Sequence, residues 1–193
     1  MINIKFFNDL LTQYTQYNSR RHELIKLASD ALRLSKQAIF ALHRSDKDQA
    51  AELLKQAEAA FGKLSELIKK DADLRAEGSY LAAIEEYVEA KFFYQYLAGE
   101  QIDYLQSEFT IGYDEYLSGI CDLTGELTRT AVILAGRGKF KEVMEIQQTV
   151  EAIVAEIIKF DLVGQLRVKY DDAKRNLKRL EEIAYDLQIR GHK

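Results

Sequence analysis

The stretch Tyr116-Leu117-Ser118-Gly119-Ile120-Cys121-Asp122-Leu123-Thr124-Gly125-Glu126-Leu127 reads as part of a helix, and it carries two acids where a packing helix usually has none. Apolar side chains recur in steps of three and four across Tyr113–Gly136, the period of an amphipathic helix. Asp122 and Glu126, four apart, project from one side of it. A second helical stretch, Ser79–Ala98, repeats the anomaly with Glu86 and Glu89 three apart among Ala82, Ala83, Ile84, Val88, Ala90, Phe92 and Phe93. Bunched carboxylates repel one another, and burial makes each ionised one costlier. A cation must compensate them, and a divalent metal ion is the most economical choice.

The same period extends through the chain. With no proline and with glycines mainly near helix ends or packing positions, the sequence predicts an all-α fold. The expected architecture is a single domain, 1–193, a bundle of about seven helices at 2–17, 19–44, 46–70, 73–98, 112–136, 139–160 and 164–190. Ser19 is the expected cap of the second helix, and Gly191 that of the last. Seams such as Leu24, Leu27, Ala31, Leu34, Ala38 and Leu42, or Leu166, Tyr170, Ala173, Leu177, Leu180, Ala184 and Leu187, suit near-antiparallel packing. The last seam suits a subunit contact equally well.

The longest connection, Gly99–Ile111, joins the two carboxylate helices, which makes them candidates for antiparallel neighbours. Ala82, Glu86, Glu89 and Phe93 share one arc; Glu115, Asp122, Glu126, Arg129 and Ile133 share the other. Gly119 and Gly125 allow a second helix to approach closely. If the arcs face each other, four carboxylates converge, and oxygen-only ligands favour Mg2+ or Mn2+ over zinc. Spacing alone leaves a second reading open, in which Glu86 and Glu89 pair with lysines and Arg129 neutralises Glu126.

At 193 residues, 47% of them hydrophobic, the chain can bury one sizeable core. No apolar run reaches the roughly 20 residues of a membrane span, and Met1-Ile2-Asn3-Ile4-Lys5 has no signal-peptide pattern. The single cysteine, Cys121, excludes an internal disulfide. A cytoplasmic protein without membrane contact is the expectation. The net charge of −4 is segregated: residues 71–126 hold thirteen acids against two bases, whereas 1–45 hold seven bases against three acids. An acidic centre between basic ends suits a metal site within a surface that attracts a polyanion.

The other reactive residue types point elsewhere. His22, His43 and His192 do not stand at metal-ligand spacing with the carboxylate pairs, and the Glu-x-x-His steps of a di-iron bundle are absent. Cys121 reads as a packing residue. Tyrosines such as Tyr14 and Tyr17 suit base stacking or core packing. The basic run Arg167, Lys169, Lys174, Arg175, Lys178 and Arg179 suits phosphate or a subunit contact.

Glu86-Tyr87-Val88-Glu89-Ala90 and the stretch Tyr116–Leu127 resemble the translin family, most closely its catalytic branch, translin-associated factor X (TRAX). The resemblance continues through His22–Leu27, Ser35–Arg44 and Glu181–Gly191, and so covers about residues 19–191. It implies an all-α fold of seven helices in closed oligomers, commonly octamers, that enclose nucleic acid. For the catalytic branch it implies Mg2+-dependent cleavage of single-stranded RNA, with metal-binding and catalytic carboxylates at Glu86, Glu89, Asp122 and Glu126. The expected division of labour has Glu86, Glu89 and Asp122 around the ion and Glu126 completing the shell or taking the proton of the attacking water. Arg20, Arg21, Lys36 and Arg44 are the expected nucleic-acid contacts, because that segment matches the family and carries the excess positive charge. The C-terminus looks more like translin itself, which suggests a subunit that assembles with copies of itself. Two alternatives are a non-catalytic binder of RNA or single-stranded DNA, and an all-α nucleotide pyrophosphatase. The latter fits poorly the four-residue second spacing and the long separation of the pairs.

Overall fold

A computed structural model of the chain describes residues 2–191, with side chains through Ile189. The described residues form six α-helices and one short 3-10 turn: α1 Ile4–His43, α2 Lys47–Lys70, the turn Ala72–Ala76, α3 Gly78–Ala98, α4 Tyr113–Gly136, α5 Phe140–Ile157 and α6 Gly164–Gly191. The fold is all-α as the periodicity requires, with two differences in helix boundaries.

The first two expected helices are one helix of 40 residues, about 60 Å long at the usual rise. No glycine or proline interrupts it, so nothing local outweighs propagation at Ser19, which lies inside the helix rather than capping it. The Thr12 and Thr15 hydroxyls likewise donate to the carbonyls of Asn8 and Leu11, four residues back, within the same helix. The second difference lies at 71–77, where the 3-10 turn replaces the expected start of a helix at 73. Buried Leu74 anchors this turn, and ion pairs tie both its flanks to α1: Arg20 to Asp71 at 2.8 Å and Arg21 to Glu77 at 2.5 Å. At the other end of the chain, Gly191 is within α6, and His192 lies outside the described residues.

Helix α1 packs on α2 and α3, α3 on α4, and α4 on α5 and α6. The buried apolar residues form one contiguous cluster, from Leu24 on α1 to Leu180 on α6. Asp46 caps α2 through a hydrogen bond accepted from the Gln49 amide at 3.1 Å. The connection between α3 and α4 begins at Gly99, whose φ of 76° is the left-handed C-cap geometry. It is fastened by Phe109, stacked on Phe61 with centroids 4.6 Å apart, and by the Leu105 amide, which donates to the Tyr116 hydroxyl at 3.1 Å.

Contacts along α3 and α4 run in opposite order, Phe92 with Tyr116 and then Val88 and Glu89 with Gly119, so the helices are antiparallel. A methyl group on Gly119 would sit 2.6 Å from Val88 Cγ1 and 3.0 Å from the Glu89 backbone nitrogen. This close approach fixes how the two carboxylate helices face each other. Gly119→Ala is expected to destabilise the protein by about 1–3 kcal/mol in chemical denaturation, because part of the strain falls on backbone that cannot yield.

Candidate metal and nucleic-acid site

Four helices meet around the carboxylates: α3 brings Glu85, Glu86 and Glu89, α4 brings Asp122 and Glu126, α1 brings Lys36 and His43, and α6 brings Lys169. The antiparallel pairing of α3 with α4 puts both acidic arcs in the same region. The negative charges of Glu86, Asp122 and Glu126 all act on Glu89.

Three of the four carboxylates already have a cationic or hydrogen-bonding neighbour. Lys36 Nζ lies 3.1 Å from Glu86 Oε2. His43 Nε2 meets Glu126 Oε2 in a close contact, with the imidazole almost fully buried and packed against the Phe93 ring. Lys169 bridges Asp122, in close contact, and Glu85 at 3.2 Å, and its side chain is only 16% exposed. Burial works against the charge on Lys169, but Asp122 and Glu85 outweigh it and hold the ammonium above its ordinary pKa.

Glu89 is the exception. It is 8% exposed, and among the described residues no lysine, arginine or histidine lies within ion-pair distance of it. Burial first, and then the charges of Glu86, Asp122 and Glu126, push its carboxyl up to about 9. Burial also raises Glu86, against the opposing effect of Lys36. As the side chains stand, among the described residues no three His, Cys, Asp or Glu groups converge closely enough to hold one ion. The carboxylates are neighbours, with Glu86 and Asp122 turned to lysines, Glu126 to His43, and Glu89 left protonated among them at neutral pH.

Of the two readings left open by spacing, the ion pairs are the one present among the described residues. The expected salt bridges exist for Glu86 with Lys36 and, more loosely at 3.8 Å, for Glu126 with Arg129. They do not reach Glu89, whose buried carboxyl has no cationic partner among the described residues.

The remaining expected residues divide by location. Of Arg20, Arg21, Lys36 and Arg44, only Lys36 touches the carboxylate cluster; Arg20 and Arg21 are held at the 3-10 turn, and Arg44 donates to Gln49 at 2.9 Å. Glu115, assigned to the acidic arc of α4, instead accepts from Arg75 at 2.5 Å at the start of that helix. In the basic run of α6, Lys169 turns into the site, whereas Arg167, Lys174, Arg175 and Arg179 pair with acids on their own helix. Cys121 is buried, and its burial pushes the thiol up to about 12, which suits a packing role. Tyr14 is exposed, and the Tyr17 hydroxyl donates to Glu77 at 3.3 Å.

Sequence reasoning missed His43, Lys169 and Glu85 as parts of the cluster. His43 stands seven residues after Lys36, two helical turns along one face of α1, so it faced the site whenever Lys36 did. Lys169 carried no comparable signal, being one of six basic residues spread from Arg167 to Arg179 with nothing local to single it out.

The description "Translin family" fits residues 19–191 of the chain. Translin of Gallus gallus is 33% identical over 84 residues, 43% of this chain and 37% of that protein, so this match spans little more than a third of the relative's length. Translin-associated protein X of Rattus norvegicus is 23% identical over 227 residues, covering 96% of this chain and 77% of that protein. Among solved structures, apo-NeC3PO superposes with a TM-score of 0.83 at 22% identity, covering 94% of this chain and 96% of that one. AfC3PO in a complex with duplex RNA gives 0.82 at 23% identity, covering 95% and 96%. These likenesses bear on the fold. No helix among the described residues is long and apolar enough to cross a membrane.

Proposed function

This chain belongs to the Translin family, and we propose that it is a Mg2+-dependent endoribonuclease acting on single-stranded RNA, as a TRAX-like subunit of a closed homo-oligomer, octameric by analogy with the family. The observation that carries this reading is Glu89, a buried carboxyl without a cation, surrounded by three further carboxylates. Such a set fits a hard divalent ion, with Mn2+ as an alternative to Mg2+, because all four first-choice donors are oxygens.

Glu86, Glu89, Asp122 and Glu126 would hold the ion. Once bound, it would supply Lewis acidity toward the phosphate and a more acidic water. The chain's own residues do the rest. Lys36 and Lys169 balance the cluster before binding and offer ammonium groups to phosphate oxygens afterwards. His43 orients the Glu126 carboxylate, which we assign to accept the proton of the attacking water. Arg129, half-exposed beside Glu126, faces the solvent side, from which a nucleic-acid strand would arrive.

One observation favours a second reading, a non-catalytic RNA or single-stranded DNA binder: the local identity to translin exceeds that to translin-associated protein X. A single assay separates the two. Purified protein is incubated with single-stranded RNA, duplex RNA, single-stranded DNA and a nucleoside triphosphate, with Mg2+ or with chelator. Chelator-sensitive cleavage of the single-stranded RNA is expected. Binding of RNA without cleavage would transfer the assignment to the binder, and pyrophosphate release would overturn both.

A further inference from the structure

Phe40 is an aromatic residue in a place where burial would be expected and does not occur. It lies four residues after Lys36 and three before His43, so all three share one face of α1. Both flanking residues touch the carboxylate cluster, Lys36 on Glu86 and His43 on Glu126. Phe40 nevertheless leaves 52% of its surface in solvent. The Arg129 guanidinium lies 5.6 Å from the ring centroid and 3.8 Å from Glu126. An exposed phenyl ring held by a guanidinium combines a flat apolar surface with an adjacent positive charge next to the carboxylates.

We infer that Phe40 and Arg129 form a stacking platform for the nucleobase adjacent to the scissile phosphate. The inference rests on the reading of the carboxylate cluster as a nucleic-acid-cleaving site and adds to it a contact that reads strandedness. An aromatic face accepts any base, so the platform is indifferent to sequence. Arg129 prolongs the stacking surface and supplies positive charge for the flanking phosphate. A base in a duplex keeps both faces occupied by its stacked neighbours and cannot use the platform without leaving the helix, which is costly. The ring therefore selects unpaired strands at the point where the carboxylates stand. Lys36, on the same helical face, provides the neighbouring cation that a strand laid along α1 would meet.

The test compares wild type with Phe40→Ala and Phe40→Trp in chelator, where no cleavage occurs, by fluorescence anisotropy of a labelled single-stranded RNA and of the same sequence as a duplex. Phe40→Ala should weaken single-strand binding about tenfold, within the range for one stacked base, and leave duplex binding unchanged. Phe40→Trp should restore the affinity, and 2-aminopurine in the single strand should show stacking-dependent quenching with wild type and Phe40→Trp alone. Equal weakening for both strand forms, or no weakening, overturns the platform, as does a change in solution mass in Phe40→Ala, which would make Phe40 a subunit contact. A wild-type protein that binds no RNA overturns instead the functional reading on which the inference rests.

Discussion

Asp122→Asn is expected to keep the fold and lower Mg2+-dependent RNA cleavage by about 100- to 1,000-fold, the scale lost when a group that governs transition-state charge is removed. The substitution is isosteric, so packing along α4 survives. Asp122 is engaged by Lys169, which keeps Glu85 at 3.2 Å as a second partner when Asp122 loses its charge. Stability should therefore change by no more than about 1 kcal/mol, as for other partly exposed ion pairs. What disappears is an anionic oxygen beside Glu86, Glu89 and Glu126, and an amide is a poor substitute for it with a hard cation. Denaturation curves and a cleavage time course on the same preparation check both halves of this expectation. Full activity in the variant would remove Asp122 from the site.

Glu89→Gln has the second large effect, on stability and with a definite pH dependence. Folding raises the Glu89 pKa from the ordinary carboxylate range to about 9, chiefly by burial. Between those values the folded protein keeps a proton that the unfolded chain has released. The stabilising contribution is thus complete at pH values below the unfolded pKa and is lost as pH rises towards the folded one, at up to about 1.4 kcal/mol per pH unit for one proton. Metal-free wild type should lose stability from pH 6 to pH 9, whereas Glu89→Gln, with nothing to ionise there, should be flatter and about 1–3 kcal/mol more stable at the alkaline end. Mg2+ should reverse the order by stabilising the ionised carboxylate of the wild type and not the variant. Parallel pH profiles for the two proteins in chelator would show that Glu89 is not the group that titrates.

The helices and the pairing of the two acidic arcs were legible because both depend on local spacing. Apolar steps of three and four define α2 to α6, and the small residue at Gly119 marks where α3 and α4 touch. The uninterrupted α1 was not legible, because Ser19 resembles a cap in isolation and only the absence of a competing turn decides for continuity. The four carboxylates could be picked out because acids are conspicuous on apolar helices. Their partners could not, for Lys36, His43 and Lys169 come from α1 and α6, and their meeting is a product of tertiary packing. The same holds for Arg20 and Arg21, whose charge suggested RNA while their acidic partners lie some fifty residues away at the 3-10 turn.

Whether Glu86, Glu89, Asp122 and Glu126 together bind a divalent cation is tested without relying on catalysis by Mn2+ titration followed by electron paramagnetic resonance. Wild type should show saturable binding that Mg2+ displaces, and that is lost or strongly weakened in each of the four single amide variants. Binding of the same strength and stoichiometry in wild type and in Glu89→Gln and Asp122→Asn would contradict it.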